Sequence, residues 1–292
     1  MSEINRREFL SICGAAPLAL RLRATDGIRP GYAAITWEGR DDAAIREISE
    51  VGFKALQLRA TAFDAYGGRP AELRRLLAER TLAFAVLSSG NLKIDPAVES
   101  EQLALHLSHA RFLRDAGGQF LQVIDEKPKD RTPGPAEYKR LGALMSELGR
   151  RTKAMGVPLV YHHHMKSIGE PPEAIDAILA ASDPDYVGLL FDIAHYQQGG
   201  GDPVAAIRRY KDRIRVVHLK DVRAIDAAPG YQWVELGRGR VDVKGCVAAL
   251  RDIGFAGWAI VELDRVVDEG ETAKAAAEKN RDYVVRQLGL AL

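Results

Sequence analysis

The chain of 292 residues is 47% hydrophobic and 28% charged, with a formal net charge of +1. That balance leaves no basic surplus to draw in nucleic acid or anionic lipid as a main partner. Cys13 and Cys246 alone encode no disulfide framework, and no apolar run approaches the roughly 18 residues of a membrane span.

In chain order, the opening stretch "MSEINRREFLSICGAAPLAL" sets Arg6 and Arg7 ahead of Phe9, Leu10 and a short apolar core. This is the pattern of a twin-arginine export signal; the alternative is an amphipathic N-terminal helix. Residues 1–26 are therefore set apart from the fold, and a periplasmic location is expected if the signal acts, a cytoplasmic one otherwise.

From residue 27 to 292 a strand-like run recurs about every 30 residues. The runs are "YAAITW" (32–37), "KALQLRA" (54–60), "LAFAVLSSG" (82–90), "FLQVIDE" (120–126), "PLVYHHH" (158–164), "YVGLLFDIAH" (186–195), "IRVVHLKDV" (214–222) and "WAIVELD" (258–264). Between them lie helical-period stretches such as 41–51, 97–116, 136–155 and 203–210, with a last one at 271–288. Gly52, Gly117, Gly156 and Gly254 suit helix C-termini. Eight strand–helix units predict parallel strands closed into a single-domain (β/α)8 TIM barrel. An open doubly wound sheet would want a glycine-rich phosphate turn after its first strand, which "TWEGRDD" does not supply.

Catalytic side chains of such barrels come from the C-terminal ends of several strands. Here those ends carry His162 and His164, Asp192 and His195, His218 and Lys220, and Glu262, each behind an apolar run that would bury it. Isolated ionisable groups in such places are costly, and a divalent cation offsets the cost by turning them into ligands. Neighbouring side chains on a strand face opposite ways, so His162 and His164 share a face, His163 turns away, and His218 and Lys220 share a face. Asp192 and His195 differ in parity, which puts His195 past the strand end. A mixed imidazole and carboxylate set suits manganese, zinc, cobalt or iron better than calcium.

"LLFDIAHY", "VVHLKDVR" and "ELGRGRVDVKGCVAALRDIGFAGWAIVELD" resemble the xylose isomerase-like barrel superfamily of sugar isomerases, epimerases and AP endonucleases. The resemblance implies one divalent metal held by Glu, Asp, His and Glu from strands five to eight, the last three falling on Asp192, His218 and Glu262. The fifth strand departs from that pattern. Epimerase relatives have a glutamate where this chain has His162, and "YHHHM" is instead similar to the inosose dehydratase branch. His162 is then either the replacement ligand or a histidine hydrogen-bonded to a carbonyl, with His164 either supporting the ligands from behind or contacting substrate.

Other assignments remain open at the level of sequence. Lys220 could pair with Asp221 or another carboxylate, or serve as a substrate contact or proton donor with a lowered pKa. Glu126, ending the fourth run, could be an acid/base carboxylate or pair with Lys127 or Arg131. Arg59 and Arg223 could clamp a substrate hydroxyl or carboxylate. His106 and His109 are expected on a helix surface, and "GRGR" at 237–240 could hold a phosphate.

The expected chemistry is proton removal alpha to a carbonyl of a small sugar or cyclitol by Glu262 or Glu126, through an enediolate stabilised by the metal. Lys220 or His195 then returns a proton or protonates a leaving hydroxyl. Isomerase or epimerase is placed first, with inosose dehydratase-like or keto-sugar lyase activity as the alternative. A non-catalytic periplasmic sugar-binding barrel is the competitor from another class. An AP endonuclease would want further ligands between Val222 and Val241, where no histidine stands, and its DNA substrate is disfavoured by the neutral charge.

Overall fold

The computed structural model describes residues 27–129 and 131–292; the expected export signal lies outside the described residues. Eight parallel strands close a barrel in the order β1-β10-β7-β6-β5-β4-β3-β2. They are β1 (Ile28–Ala33), β2 (Ala55–Arg59), β3 (Ala83–Leu92), β4 (Phe120–Asp125), β5 (Leu159–His162), β6 (Val187–Asp192), β7 (Ile214–Leu219) and β10 (Gly257–Val261). The helices are α1 (Asp41–Val51), α2 (Thr61–Tyr66), α3 (Pro70–Glu79), α4 (Glu99–Asp115) and α5 (Pro135–Ala154). They continue with α6 (Pro172–Ala180), α7 (Ile193–Gln198), α8 (Pro203–Arg209), α9 (Val243–Asp252) and α10 (Ala273–Arg286).

Local sequence explains these helices. In α1 the buried Ala44, Ile45, Ile48 and Val51 recur at helical spacing, and the helix stops at Gly52, whose φ of 110° a side chain would resist. Pro203 starts α8 behind Asp202, whose carboxylate accepts from the N–H groups of Val204 and Ala205.

Two runs depart from the expected boundaries. The first strand is not 32–37 but Ile28–Ala33, with Ala34–Trp37 a 3-10 turn. Its register is set by β10, where Ile28 to Tyr32 pair with Gly257 to Val261, so closure of the barrel overrides the turn-forming character of Pro30 and Gly31. A side chain at 31 would collide with Ile260, 2.6 Å from the position of its Cβ. The seventh run breaks at Lys220: β7 stays in the barrel, while β8 (Asp221–Ala224) leaves it and pairs antiparallel with β9 (Tyr231–Val234).

Every barrel strand is apolar on both faces, as parallel strands covered by helices require. Leu56, Leu121, Leu159, Leu189, Val217 and Val261 face the helical layer. Ala33, Ala55, Val86, Val160, Leu190, Val216 and Ile260 fill the barrel interior. Residues two positions further along face the same interior, one layer nearer the C-terminal mouth. That next layer is polar: Gln57, Ser88, His162, Asp192, His218 and Glu262.

His106 and His109 are not surface residues. Both are buried on the inner side of α4, where Ser89 Oγ lies 2.6 Å from Nδ1 of His106 and 2.8 Å from Nδ1 of His109. The hydroxyl supplied by β3 gives one nitrogen of each ring a partner.

Candidate metal centre and active site

The four strand-end groups expected to converge do so. Asp192 ends β6 and caps α7, its Oδ1 accepting from the N–H groups of Ala194 at 2.9 Å and His195 at 2.8 Å. Its other oxygen, Oδ2, lies 3.4 Å from Nδ1 of His218, and that nitrogen lies 3.5 Å from Oε1 of Glu262. His162, Asp192, His195 and Glu262 each offer a ligand atom within 4.8 Å of one another. Nδ1 of His162, Oδ2 of Asp192 and Nδ1 of His218 are buried and have no hydrogen-bond partner among the described residues. Each such atom costs about 1–3 kcal/mol when left unpaired. A divalent cation among them would satisfy all three, and the imidazole and carboxylate donors suit zinc or a related transition ion.

His195 stands apart from the strand-end groups in its contacts. The N–H of Met165 donates to Nδ1 of His195 at 3.1 Å, and Nζ of Lys220 lies 3.4 Å from its Nε2. An ammonium can only donate, so Lys220 and Met165 compete for the single lone pair of a neutral ring. His162, Asp192, His218 and Glu262 are able to hold an ion, and His195 reaches into the same cluster. It sits in the first turn of α7, just past the strand. His163 turns away from this mouth and packs on Phe191 and Tyr196.

Lys220 is fully buried beside these groups. Its Nζ donates to Glu262 Oε1 at 2.9 Å and to Asp264, not to Asp221. Burial opposes its charge, but Asp264, Glu262 and Asp192 outweigh that and hold the ammonium above its usual pKa. A proton donor with a lowered pKa is therefore not what the structure builds; Lys220 is a fixed counter-charge. Burial likewise opposes the carboxylates of Asp192 and Glu262, yet the facing His218 and Lys220 keep both below their ordinary values. For His162 and His195, burial comes first and pushes both rings well down, towards the neutral form. Trp233 of β9 roofs this group, 4.7 Å from Nζ of Lys220 and 4.5 Å from the ring of His195.

Above the polar layer opens a cavity of about 320 Å³, lined by Gln57, Arg59, Ser88, Asn91, Gln122, His162, His164, Glu262 and Asp264 among others. It is at the small end of the roughly 300–1,000 Å³ typical of small-molecule sites. Arg59 and His164 thus reach the expected place. Glu126 does not: it lines a separate depression with Lys93, Lys127 and Arg131, because it follows the last residue of β4 and leaves the inward face. Arg223 is also elsewhere, held by Gln232 across the β8–β9 hairpin at 2.6 Å. The "GRGR" segment forms no phosphate cradle. The N–H groups of Gly237, Gly239 and Val241 all donate to Asp221, and a Cβ at Gly239 would lie 2.2 Å from that carboxylate. Arg238 is paired with Glu235 and Asp268.

Gln57, Asp264 and Trp233 were missed from the sequence. The first two carried a signal: Gln57 shares the inward parity of Ala55 in "KALQLRA", and Asp264 lies two residues beyond Glu262. Trp233 belongs to a hairpin for which the strand–helix rhythm has no place.

A closed parallel barrel with a polar, ion-competent mouth at the C-terminal strand ends defines a (β/α)8 barrel of the metal-site type. The chain belongs to the xylose isomerase-like TIM barrel family, which it matches over residues 45–284. It is 29% identical over 277 residues to an inosose dehydratase of Lacticaseibacillus casei, covering 82% of this chain and 90% of that one. An inosose dehydratase of Geobacillus kaustophilus is 28% identical over 304 residues, covering 91% and 97%. Among solved structures, the IolI protein with a bound zinc atom superposes with a TM-score of 0.75 at 17% identity, over 89% of this chain and 98% of that one.

Proposed function

We propose that the protein is a hydro-lyase that removes water from a keto-cyclitol of the inosose type. The observation carrying this reading is the set of three buried ligand atoms without a partner among the described residues, on His162, which lines the cavity, and on Asp192 and His218 in the same polar layer, in a chain whose relatives include inosose dehydratases. The sequence placed an isomerase or epimerase first; the relatives favour the dehydratase alternative. The donor chemistry agrees, because His162 stands where an epimerase pair would need its second carboxylate.

A divalent ion bound by His162, Asp192, His218 and Glu262 supplies Lewis acidity that polarises a ketone and makes the adjacent C–H acidic. His164 lines the cavity and donates from Nδ1 to the carbonyl of Met165 at 2.7 Å. That bond fixes the tautomer and leaves the Nε2 lone pair as a general base for the proton alpha to the ketone. The same proton, held on Nε2, then leaves with the β-hydroxyl as water, and the electrons of the broken C–H bond become the new C=C bond. Lys220 donates to Glu262 and weakens its basicity, so Glu262 is assigned as ligand rather than base, and Glu126 has no part. Arg59, Asn91 and Gln122 supply hydrogen bonds to substrate hydroxyls; the Oε1 of Gln122 is buried without a partner.

Incubation with inosose in deuterated water tests this, followed by mass and by the ultraviolet absorbance of a conjugated product. Loss of water with first-order product growth is expected. Deuterium uptake without water loss would favour the isomerase reading. Neither event on inosose or on a panel of keto-sugars would return the chain to a sugar-binding role.

A further inference from the structure

We infer that Gln57, on β2, is a positioning residue that selects the metal-binding tautomer of His218 and holds Glu262 in register with it. Gln57 is buried, with its Oε1 2.9 Å from Nε2 of His218 and its Nε2 3.4 Å from Oε2 of Glu262. A carboxylate can only accept, so the amide must turn its NH2 group to Glu262. Its carbonyl then faces His218, and a carbonyl can only accept as well. The proton of His218 is therefore fixed on Nε2.

The consequence falls on the other nitrogen. Nδ1 keeps its lone pair, is buried without a partner, and lies between Oδ2 of Asp192 at 3.4 Å and Oε1 of Glu262 at 3.5 Å. A lone pair facing two carboxylate oxygens is repulsive unless a cation lies among them. Flipping the amide would set its carbonyl against Glu262 and leave a lone pair on His218 Nε2, so Nδ1 would bear hydrogen and cease to be a ligand. One side chain from β2 thus orients a histidine on β7 and a glutamate just past β10, and outer hydrogen bonds of this kind change metal affinity by about 10–100-fold. The relay presupposes the metal centre described above and is independent of which reaction the site performs.

Zinc affinity of chelator-stripped protein, measured by competition with a chromophoric chelator, tests the role. Gln57→Leu should bind zinc about 10–100-fold more weakly than wild type, and nitrogen-15 spectra of its histidine rings should show His218 losing its preference for the Nε2–H tautomer. Equal affinity in wild type and Gln57→Leu would overturn the assignment, as would an unchanged His218 tautomer. Should Gln57→Leu not fold, nitrogen-15 spectra of the histidine rings in zinc-loaded wild-type protein decide: His218 is expected to carry its proton on Nε2, and an Nδ1–H tautomer would reject the relay. Because neither readout is turnover, a protein that binds zinc as expected yet leaves inosose untouched would sink the dehydratase reading alone.

Discussion

Tyr161 donates a 2.7 Å hydrogen bond to Oδ2 of Asp125, and the same carboxylate accepts from the N–H groups of Ile168 and Gly169. Asp125 closes β4, and Tyr161 immediately precedes His162, the last residue of β5. This one buried carboxylate therefore pins both the strand and the following loop that carry His162 and His164.

Removing that anchor should loosen the loop and the fold together. Asp125→Ala leaves one hydroxyl and two N–H groups unpaired, a cost on the order of 3 kcal/mol, or about 6 °C in Tm for a chain of this size. Tyr161→Phe removes a single partner and should cost about 1 kcal/mol. Thermal melts of the two variants check the ratio; equal and negligible losses would show that the carboxylate anchors nothing.

Metal should be linked to stability as well as to turnover. Zinc at about a thousand times its Kd should add about 4 kcal/mol to the folded state, visible as a rise in Tm of about 8 °C. His218→Ala and Asp192→Asn should lose both the bound metal and the rise. Metal content in either variant matching wild type would remove that residue from the ligand set.

Buried neutral histidines give the protein an acid-sensitive side. Burial, aided by His109, lowers His106 to about 4; burial also lowers His163 to about 4, against the pull of Asp192. An unfolded histidine takes up its proton near pH 6.5. Between those values the unfolded chain binds more protons than the folded one, so stability falls as pH drops from about 6.5 towards 4 and is unaffected by these rings above that window. Each ring contributes about 1.4 kcal/mol per pH unit there. Urea midpoints at about pH 7 and about pH 5 should differ accordingly, and His106→Gln should shrink the difference by the share of one ring. A midpoint that does not move with pH would contradict the burial of both.

The roof of the site should matter for turnover and not for metal. Trp233 covers Lys220 and His195, a cation–π contact worth about 1–2 kcal/mol when desolvated. Trp233→Ala admits water to both groups, so kcat on the true substrate should fall about tenfold while metal per chain stays at the wild-type value. Trp233→Phe should retain most of the rate. Loss of metal in Trp233→Ala would mean that the hairpin is part of the metal centre instead.

The barrel and its mouth were legible in the sequence because both rest on period and parity. Strand–helix alternation specifies parallel crossovers, and an apolar residue followed two places later by a polar one marks an inward strand end. That rule found His162, Asp192, His218 and Glu262, and applied to β2 it also points to Gln57. It misplaced Glu126, one residue beyond the strand, where alternation no longer dictates direction.

Tertiary structure decided what depends on partners distant in the chain. Which nitrogen of His218 is free is set by Gln57, 161 positions away; which charge Lys220 faces is set by Asp264 and Glu262 just past another strand; what covers the site is a hairpin outside the repeating pattern. A sequence records which residues face inward through local backbone geometry. The proton positions, ion pairs and lone pairs that make chemistry follow only when the barrel closes and each polar group must find its complement among those opposite.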